Sequence, residues 1–554
     1  MRRTLRLHIQ GMTCDDCARH VTQALQSVPG VEKVHIPGWR AAQAEIVLAQ
    51  AVPLQRLIAA VRAAGYDASA SDAPTPRPGT PPRFSATAGG ESDLVVVGGG
   101  SGGFAAAIRA AEMGARVLII NQGTLGGTCV NIGCVPSKAL LRSAAAWHHS
   151  GHHPFAGVHT RAERLDWDAV RAQKDALVAS LRQEKYTDVL AAYPQISLLR
   201  GQARFTEDGG LEVNGQRIQA ERVVIASGAR PRIMPWPGVE AAAPLTSTSL
   251  MALEALPESL IVLGGRAVAL ELGQMMARFG VRVTLLQRSE RILPTHEPEV
   301  STALTEALRE EGLEIITGVQ VLQLGREGNA RTVLARVNGQ PRTFRAAHIL
   351  MALGRQPNTD ALGLANVGVA MTAQGNIIVD KHMATSNPHI YAAGDCTTLP
   401  QFVYVAAAGG SIAAENALNG NRRFLDLQAL PQVVFTEPQA ARVGLTEAEA
   451  LAAGHAVKTS VLPLEAVPRA RAARDTRGLI KLVAHAESGQ ILGAHLLAAE
   501  GGEVIQTATL AVKLGLRVQD LQNTFFPYLT QVEGLKLAAL AFDKDIARLS
   551  CCAG

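Results

Sequence analysis

The sequence lacks the features of a membrane, secreted or nucleic-acid-binding protein. It contains no apolar run of about 18 residues, so we expect no membrane insertion. The basic start, residues 1–10, has no apolar core of the kind that a secretory signal needs, and this predicts a cytoplasmic protein. A formal net charge of +5 over 554 residues comes without a basic block, which argues against a nucleic acid as partner.

Cysteine is scarce, but its placement is informative. Of seven cysteines, six form close pairs, namely Cys14/Cys17, Cys129/Cys134 and Cys551/Cys552. A secreted disulfide scaffold would be shorter and more evenly studded with cysteines. Local dithiols in a cytoplasmic chain therefore indicate redox chemistry or the handling of a soft metal. Cys396 stands alone, and we expect it to be a packed bystander.

Residues 1–69 predict a small domain of the ferredoxin-like βαββαβ type, with strands alternating with amphipathic helices. Its string Gly11-Met12-Thr13-Cys14-Asp15-Asp16-Cys17 resembles the metal-binding loop of heavy-metal-associated domains. Two thiolates there suit Cu(I) or Hg(II). The Cys-x-x-Cys spacing alone is also compatible with a redox pair or half of a zinc site. The proline-rich segment 70–90 predicts a stiff linker, so we expect the front domain to be tethered.

The stretch Gly126–Lys138 carries the central thiol pair. The spacing of Cys129 and Cys134 allows both sulfurs to approach one face of the first turn of a helix, and a thiol there is acidified by the helix N-terminus. Two unrelated buried cysteines, or half of a metal site, are the alternative interpretations.

A dinucleotide-binding pattern lies just upstream. The predicted strand 93–97 leads into Gly98, Gly100 and Gly103, and a helix is predicted over 104–113. Such glycines allow a tight turn and a close approach of pyrophosphate to a helix N-terminus. A second strand, 116–120, ends at Asn121, where families of this type usually have a Glu that binds the adenosine ribose. Asn121 keeps one acceptor but brings no charge.

The pattern recurs at residues 260–271, with Gly264 and Gly265 in the turn, Arg266 at the central position and Ala269 at the last one. The predicted strand 282–286 is followed by Gln287 and Arg288, without an acidic residue for a ribose hydroxyl. Arg288 or Arg291 could pair with a 2′-phosphate, which favours NADPH over NADH. A surface arginine without a ligand is the alternative.

Together these motifs resemble the flavin-dependent pyridine nucleotide-disulfide oxidoreductases, over nearly the whole chain. The resemblance implies two Rossmann-like domains for FAD (91–245 and 356–425) and NADPH (246–355), and an α+β dimerisation domain (426–554) that makes a homodimer. It also implies that Cys129 exchanges with substrate, that Cys134 lies against the flavin and that Asp395 binds the ribityl chain. The further cofactor-binding residues that it implies are Gly123, Thr128, Lys138, Ala203, Glu271 and Val403.

The C-terminal segment distinguishes branches of that family. Aligning Glu533 with the family's Glu puts Tyr528 where thiol–disulfide members carry a His that acts as acid and base. A phenol of pKa near ~10 is a poor base at neutral pH, which disfavours lipoamide or glutathione disulfide as substrate. The vicinal Cys551 and Cys552 suit the transfer of a soft cation. These features resemble the mercury(II)-reducing branch.

That resemblance implies electron flow from NADPH through FAD to the Cys129–Cys134 disulfide. Hg(II) bound by the resulting thiolates then leaves as Hg(0). Cys14 and Cys17 receive the metal from mercury–thiol complexes or a transport protein, and Cys551 and Cys552 present it across the dimer interface. Tyr186 and Tyr528 line the inner site, and both are implied to be catalytic residues, as is Glu533. The competing interpretations are a dihydrolipoyl dehydrogenase-like enzyme and a metal carrier with an inactive reductase body, the latter favoured only by Asn121 and Arg266.

Overall fold

The computed structural model describes residues 3–10, 12, 15–36, 43–50, 52–64, 66–70, 92–218 and 222–546. The chain forms two compact units, Met1–Pro82 and Arg83–Gly554. This division falls inside the segment expected to be a linker, most of which lies outside the described residues. The limits predicted for the individual domains stay predictions.

The first unit is a four-stranded antiparallel sheet with two helices. Its elements are β1 (Arg3–Gln10), α1 (Asp15–Gln26), β2 (Val31–His35), β3 (Gln43–Leu48), α2 (Leu54–Ala63) and β4 (Asp67–Ala70). The strand order is β2-β3-β1-β4, which confirms the predicted ferredoxin-like topology. Alternate strand residues such as Leu7, Ile9 and Ile46 are buried against Leu25 and Leu57 of the helices, so this unit has a core of its own.

The second unit begins with a buried strand, a glycine turn and a helix. Its first elements are β5 (Leu94–Val97), α3 (Ser101–Glu112), β6 (Val117–Asn121), α4 (Gly127–Ile132), α5 (Cys134–Gly151), α6 (Trp167–Arg182), a π-helix (Gln183–Thr187), α7 (Asp188–Ala192), β7 (Ile196–Arg200), β8 (Ala203–Phe205), β9 (Leu211–Val213), β10 (Gln216–Ile218), β11 (Val223–Ile225) and β12 (Ala229–Pro231). The helix predicted from residue 104 starts at Ser101, because the glycines after Gly100 already belong to its first turn.

A second Rossmann-like domain follows. It comprises α8 (Val239–Ala242), α9 (Ser247–Leu250), β13 (Ser259–Leu263), α10 (Ala267–Arg278), β14 (Arg282–Leu286), α11 (Pro298–Glu310), β15 (Glu314–Ile316), β16 (Gln320–Glu327), β17 (Ala330–Val337), β18 (Gln340–Ala346), β19 (His348–Met351) and β20 (Arg355–Pro357). Its parallel sheet has the order β15-β14-β13-β19, and β16, β17 and β18 form an antiparallel sheet.

The chain then returns to the first domain through a short 3₁₀ helix (Leu364–Val367), β21 (Ile390–Ala392) and α12 (Val403–Asn419). β21 completes the parallel sheet β21-β11-β5-β6-β7. Helices α12 and α3 pack closely, since a Cβ on Gly410 would lie 2.0 Å from the carbonyl oxygen of Gly102. Small residues on both helices thus fix the position of the glycine turn.

The C-terminal domain is an α+β structure. Its elements are β22 (Gln432–Val434), β23 (Gln439–Gly444), α13 (Glu447–Ala452), β24 (Val457–Pro463), a 3₁₀ helix (Leu464–Ala466), α14 (Pro468–Ala473), β25 (Leu479–His485), β26 (Ile491–Ala498), α15 (Gly501–Leu514), α16 (Val518–Asn523) and α17 (Glu533–Leu540). The strands form an antiparallel sheet with the order β22-β23-β26-β25-β24, which confirms the predicted α+β architecture. Within the described ranges, no helix is long and apolar enough to cross a membrane.

Candidate active site

The thiol pair lies where two helices meet. Cys129 is in α4, and Cys134 is the first residue of α5. Both cysteines are free thiols in this structure, Cys129 half-buried and Cys134 exposed. The turn before them needs glycine, because Gly126 and Gly127 have φ angles of +97° and +61°.

The two thiols differ in acidity. The hydrogen bond from Cys129, the nearby Lys138 cation and the N–H group of its own backbone lower the pKa of Cys134 to about 7. The hydrogen bond with Cys134 and burial raise the pKa of Cys129. Cys134 is therefore the thiolate and Cys129 the thiol, and the acidified residue is the one at the helix N-terminus.

An ion pair fixes the cation beside the thiolate. Lys138 Nζ lies 2.7 Å from Glu271 Oε2, although 133 residues separate them, and Glu271 is buried in α10. The other oxygen of Glu271 accepts a hydrogen bond from the backbone N–H of Phe435 at 3.0 Å. Lys138 Nζ also lies 4.4 Å from the centre of the Phe435 ring. Glu271 thus connects both Rossmann-like domains and the C-terminal domain at the thiol site.

Tyr186 stands beside this site on the π-helix. Its hydroxyl lies 3.2 Å from Ser101 Oγ, and its ring packs edge-on against Phe104. Burial raises the pKa of Tyr186, and the two thiols add to the effect. The extra residue of a π-turn, frequent at functional sites, turns the phenol toward the start of α3.

A second tyrosine near the thiols, Tyr404, was not predicted from the sequence. Burial and the charge of Cys134 raise the pKa of Tyr404 to about 12. Its hydroxyl donates a hydrogen bond to the carbonyl of Pro431, and its ring stacks on Phe402. Its place next to Val403, at the start of α12, was the only available signal.

The first glycine turn is packed so tightly that side chains would not fit. Gly98 has a φ of +125°, and a Cβ there would lie 2.2 Å from the carbonyl oxygen of Ala226. A Cβ on Gly103 would lie 1.9 Å from the carbonyl oxygen of Gly98, and one on Gly100 would touch Gly127 at 3.4 Å. The turn therefore brings the N-terminus of α3 next to α4 and its cysteine.

Asn121 closes this turn from the side. Its Oδ1 accepts a hydrogen bond from the Gly99 N–H at 3.0 Å, and its Nδ2 donates to the Gly123 carbonyl at 2.6 Å. Gly123 itself lies in open space.

Arg355 was not predicted as a site residue, yet it connects three segments. It donates hydrogen bonds to Thr128 Oγ1 at 3.1 Å and to the Ala229 carbonyl. Its Nε is buried without a hydrogen-bond partner, 3.4 Å from Asp395 Oδ2. Burial raises the pKa of Asp395, and Arg355 opposes the rise. Arg355 thus holds Asp395 and Thr128 near each other.

The second glycine turn repeats the design of the first. Gly264 has a φ of +122°, and a Cβ there would lie 2.6 Å from the Ala352 carbonyl oxygen. A Cβ on Gly265 would lie 2.9 Å from Cδ of the buried Gln287. Arg266 is the exposed N-cap residue of α10. Arg288 is exposed at the end of the second strand.

The remaining predicted residues are spread over the second unit. Ala203 is buried in β8, and Val403 is the partly exposed first residue of α12. Glu533 begins α17 in the C-terminal domain and accepts a hydrogen bond from the Leu529 N–H at 3.2 Å. Tyr528 lies just before, 53% exposed. Cys396 is fully buried and donates to the Ala393 carbonyl, which confirms it as a packed residue.

Comparison with known proteins covers all of these domains. Residues 92–410 match the model of the pyridine nucleotide-disulphide oxidoreductases, and residues 430–539 match the dimerisation domain of those enzymes. Residues 6–67 match the heavy-metal-associated domain. The mercuric reductase of Staphylococcus aureus is 44% identical over 551 residues, which is 99% of each chain. That of Acidithiobacillus ferrooxidans is 45% identical over 554 residues, covering 99% of this chain and 98% of the relative.

The chain belongs to the mercuric reductase family. Among solved structures, the HOCl-induced flavoprotein disulfide reductase RclA from Escherichia coli is similar, with a TM-score of 0.72 and 31% identity. That match covers 81% of this chain and 99% of RclA.

Membership of the mercuric reductase family implies a flavin and a pyridine nucleotide, and the residues present fit both. Two glycine turns without room for a Cβ precede α3 and α10, as pyrophosphate binding requires. The Nε of Arg355, buried without a hydrogen-bond partner, and the carboxylate of Asp395, 3.4 Å away, offer a donor and an acceptor to a polar chain. Gly98, Gly100, Gly103 and Asp395 would hold the flavin dinucleotide.

The side chains of the cysteines that were predicted to pass Hg(II) to the thiol site lie outside the part of the chain that the structure describes. Cys14, Cys551 and Cys552 lie outside the described residues, and so does the side chain of Cys17. Within the described part of the chain, no group of three or more His, Cys, Asp or Glu side chains could hold a metal ion.

Proposed function

We propose that this chain is an FAD- and NADPH-dependent mercury(II) reductase. The overall reaction is NADPH + Hg(II) → NADP⁺ + H⁺ + Hg(0), in which the nucleotide loses two electrons and the metal gains them. The observation that carries the proposal is the Cys129/Cys134 pair, which holds one thiolate near neutral pH at the edge of a dinucleotide turn. Full-length similarity to mercuric reductases supports it.

The dithiol binds the substrate. Thiolates are the preferred ligands of soft cations. Cys129 in α4 and Cys134 at the start of α5 provide two of them, a number that suits a low-coordinate Hg(II). When bound, FAD supplies two-electron exchange between the pyridine nucleotide and this pair. Lys138 keeps positive charge beside Cys134, and its ion pair with the buried Glu271 fixes the position of that charge. Once Cys134 has given its charge to the metal, the proton on Cys129 is the next to leave.

The residue at position 528 favours a metal over an organic disulfide. Reduction of a disulfide substrate releases a thiolate that needs a proton from a nearby acid. A tyrosine such as Tyr528 is a poor proton carrier at neutral pH, because the pKa of a free phenol is about 10. Hg(II) exchanges between thiolates and needs no such group. Lipoamide and glutathione disulfide are therefore expected to be poor substrates.

NADPH is the proposed electron donor. Gln287, at the end of the second strand of that turn, is a buried amide, so no carboxylate is present to repel a 2′-phosphate. The Arg291 guanidinium donates to the carbonyls of Pro294 and His296. Arg288 is exposed and lies next to Gln287. We therefore assign recognition of the 2′-phosphate to Arg288.

Arg288→Ala should reduce the ratio of kcat/KM for NADPH to that for NADH, whereas Arg282→Ala, on the same strand, should not.

A homodimer with a shared site is part of the proposal. The match to the dimerisation domain supports it, as does the exposure of Phe525 and Tyr528 on one segment of that domain. Cys14 and Cys17 would collect Hg(II) from mercury–thiol complexes or a transport protein. Cys551 and Cys552 would pass it to Cys129 and Cys134 of the other subunit. A cytoplasmic location is expected, because the donors of electrons and of thiol-bound metal are found there.

The deciding experiment measures NADPH oxidation by the purified protein with and without Hg(II), together with release of volatile Hg(0). We expect stimulation by Hg(II) and none by lipoamide. Cys129→Ala and Cys134→Ala should each abolish Hg(0) release while keeping the flavin spectrum. Stimulation by lipoamide alone would identify a dihydrolipoyl dehydrogenase-like enzyme, and a colourless protein that binds Hg(II) would identify a metal carrier.

A further inference from the structure

The two dinucleotide turns are built on the same hydrogen-bond plan. In each turn, the N–H of the first glycine donates to the carbonyl of a residue that is followed by an asparagine or a glutamine. Gly98 N–H donates to the Ile120 carbonyl at 2.8 Å, and Gly264 N–H donates to the Leu286 carbonyl at 3.0 Å. The amide residues that follow are Asn121 and Gln287. These two side chains therefore occupy equivalent positions.

The loop after each amide also returns to its turn in the same way. Gly126 N–H donates to the Gly99 carbonyl and Leu293 N–H to the Gly265 carbonyl, both at 2.8 Å. The second glycine of each turn is thus held through its carbonyl by the returning loop.

The amide side chain lies directly beneath that second glycine. A Cβ on Gly99 would lie 2.8 Å from Cγ of Asn121, just as one on Gly265 would lie 2.9 Å from Cδ of Gln287. In the first turn the amide is also hydrogen-bonded at both ends. Its Oδ1 accepts from the Gly99 N–H, and its Nδ2 donates to the Gly123 carbonyl. Asn121 thereby ties the glycine turn to the loop that follows the second strand.

This geometry leaves Asn121 poorly suited to bind a ribose. An acidic residue at this point of the fold accepts hydrogen bonds from the ribose hydroxyls, and a carboxylate can accept from two of them at once. Asn121 has a single acceptor oxygen, one lone pair of which already accepts from Gly99, and one of its two N–H donors is directed at Gly123. It therefore cannot accept from both ribose hydroxyls at once, as a carboxylate does. We propose that Asn121 is a positioning residue that braces the flavin-binding turn and that it does not bind the adenosine ribose.

The proposal predicts which groups of the protein bind the adenosine part of FAD. Because Asn121 braces the turn and does not bind the ribose, the ribose hydroxyls add little to FAD binding, and the backbone of the turn binds the adenosine part. This inference rests on the proposed binding of FAD. A protein purified without flavin, and unable to take it up, would refute that proposed function, whereas the variants below test the brace separately.

The experiment compares flavin release from the holoenzyme on dilution, followed by flavin fluorescence, for FAD and for its 2′-deoxyadenosine analogue. The wild-type protein should release both at similar rates. Asn121→Ala removes both hydrogen bonds of the brace and should speed the release of both flavins alike by about tenfold. The two hydrogen bonds of Asn121 do not require bound flavin, so Asn121→Ala should also lower the unfolding midpoint of the flavin-free protein.

Asn121→Asp is the matched control, because it has the same shape. It keeps the acceptor for Gly99 but turns an oxygen toward the Gly123 carbonyl, so the brace predicts faster release of FAD. A ribose ligand predicts the opposite, because a carboxylate binds hydroxyls better than an amide does. Slower FAD release from Asn121→Asp would overturn the proposal. So would a wild-type preference for FAD over the analogue that Asn121→Ala abolishes. If Asn121→Ala fails to fold, the Asn121→Asp variant still decides between the two roles, because its rate of FAD release is compared with that of the wild type alone.

Discussion

The hydrogen bond between the two thiols should control the acidity of Cys134. It is the largest cause of the low pKa, about 7 against an ordinary 9.0. At pH 7.5, a pKa of about 7 leaves roughly three-quarters of Cys134 as thiolate, while an ordinary thiol would be ionised to only about 3%. Cys129→Ala removes the donor, so the pKa of Cys134 should rise well above 7.

The assay is the pH dependence of alkylation of Cys134 by iodoacetamide in reduced, flavin-free protein, measured by mass spectrometry of the Cys134 peptide. The midpoint of the profile is the quantity to compare. The rate at one pH is less informative, because a thiolate of higher pKa is also a stronger nucleophile and partly offsets its lower abundance.

Cys129→Ser is the matched control, since its hydroxyl can donate in place of the thiol. We expect the midpoints in the order wild type, Cys129→Ser, Cys129→Ala, from low to high. Equal midpoints near 7 in both variants would refute this reasoning. The helix N-terminus and Lys138 would then account for the acidity by themselves.

Four further predictions follow from other parts of the chain. Deleting residues 1–90 should leave turnover of small mercury–thiol complexes largely intact, because the first unit has its own core; a fall to zero in a steady-state assay would contradict this. Burial lowers the pKa of His296 to about 3, so His296 is neutral when folded. The unfolding free energy should therefore fall by up to about 5 kcal/mol between pH 6.5 and 3, and His296→Gln should flatten that part of the pH profile in urea denaturation. Lys481, 2% exposed, holds three carboxylates within 3.0 Å, so Lys481→Met should cost about 3–5 kcal/mol in the same denaturation assay. Replacing Cys551 and Cys552 by Ala should keep the flavin but lose most turnover with mercury dithiolates, and less with weakly complexed mercury salts; wild-type rates with dithiolates would show that the metal enters by another route.

Short-range patterns in the sequence determined the elements and the thiol site. Gly98, Gly100 and Gly103 predict a strand, a turn and a helix because their spacing reflects backbone sterics within a few residues. Both Cys129 and Cys134 were expected at the first turn of one helix. Cys134 is the first residue of α5, whereas Cys129 lies in the separate helix α4. The topology of the first unit could likewise be predicted from the alternation and helical spacing of its apolar residues.

Contacts between distant segments were decided only by the tertiary structure. Glu271 meets Lys138 across 133 residues, and Arg355 reaches Thr128 across 227. Tyr404 comes near the thiols only because α12 packs on α3. The sequence placed Asn121 at the flavin turn, but the direction of its amide depends on the loop that folds back over Gly99. Local propensity acts over a few residues, whereas these side chains are positioned by domains packed against each other, and no spacing along the chain encodes that packing.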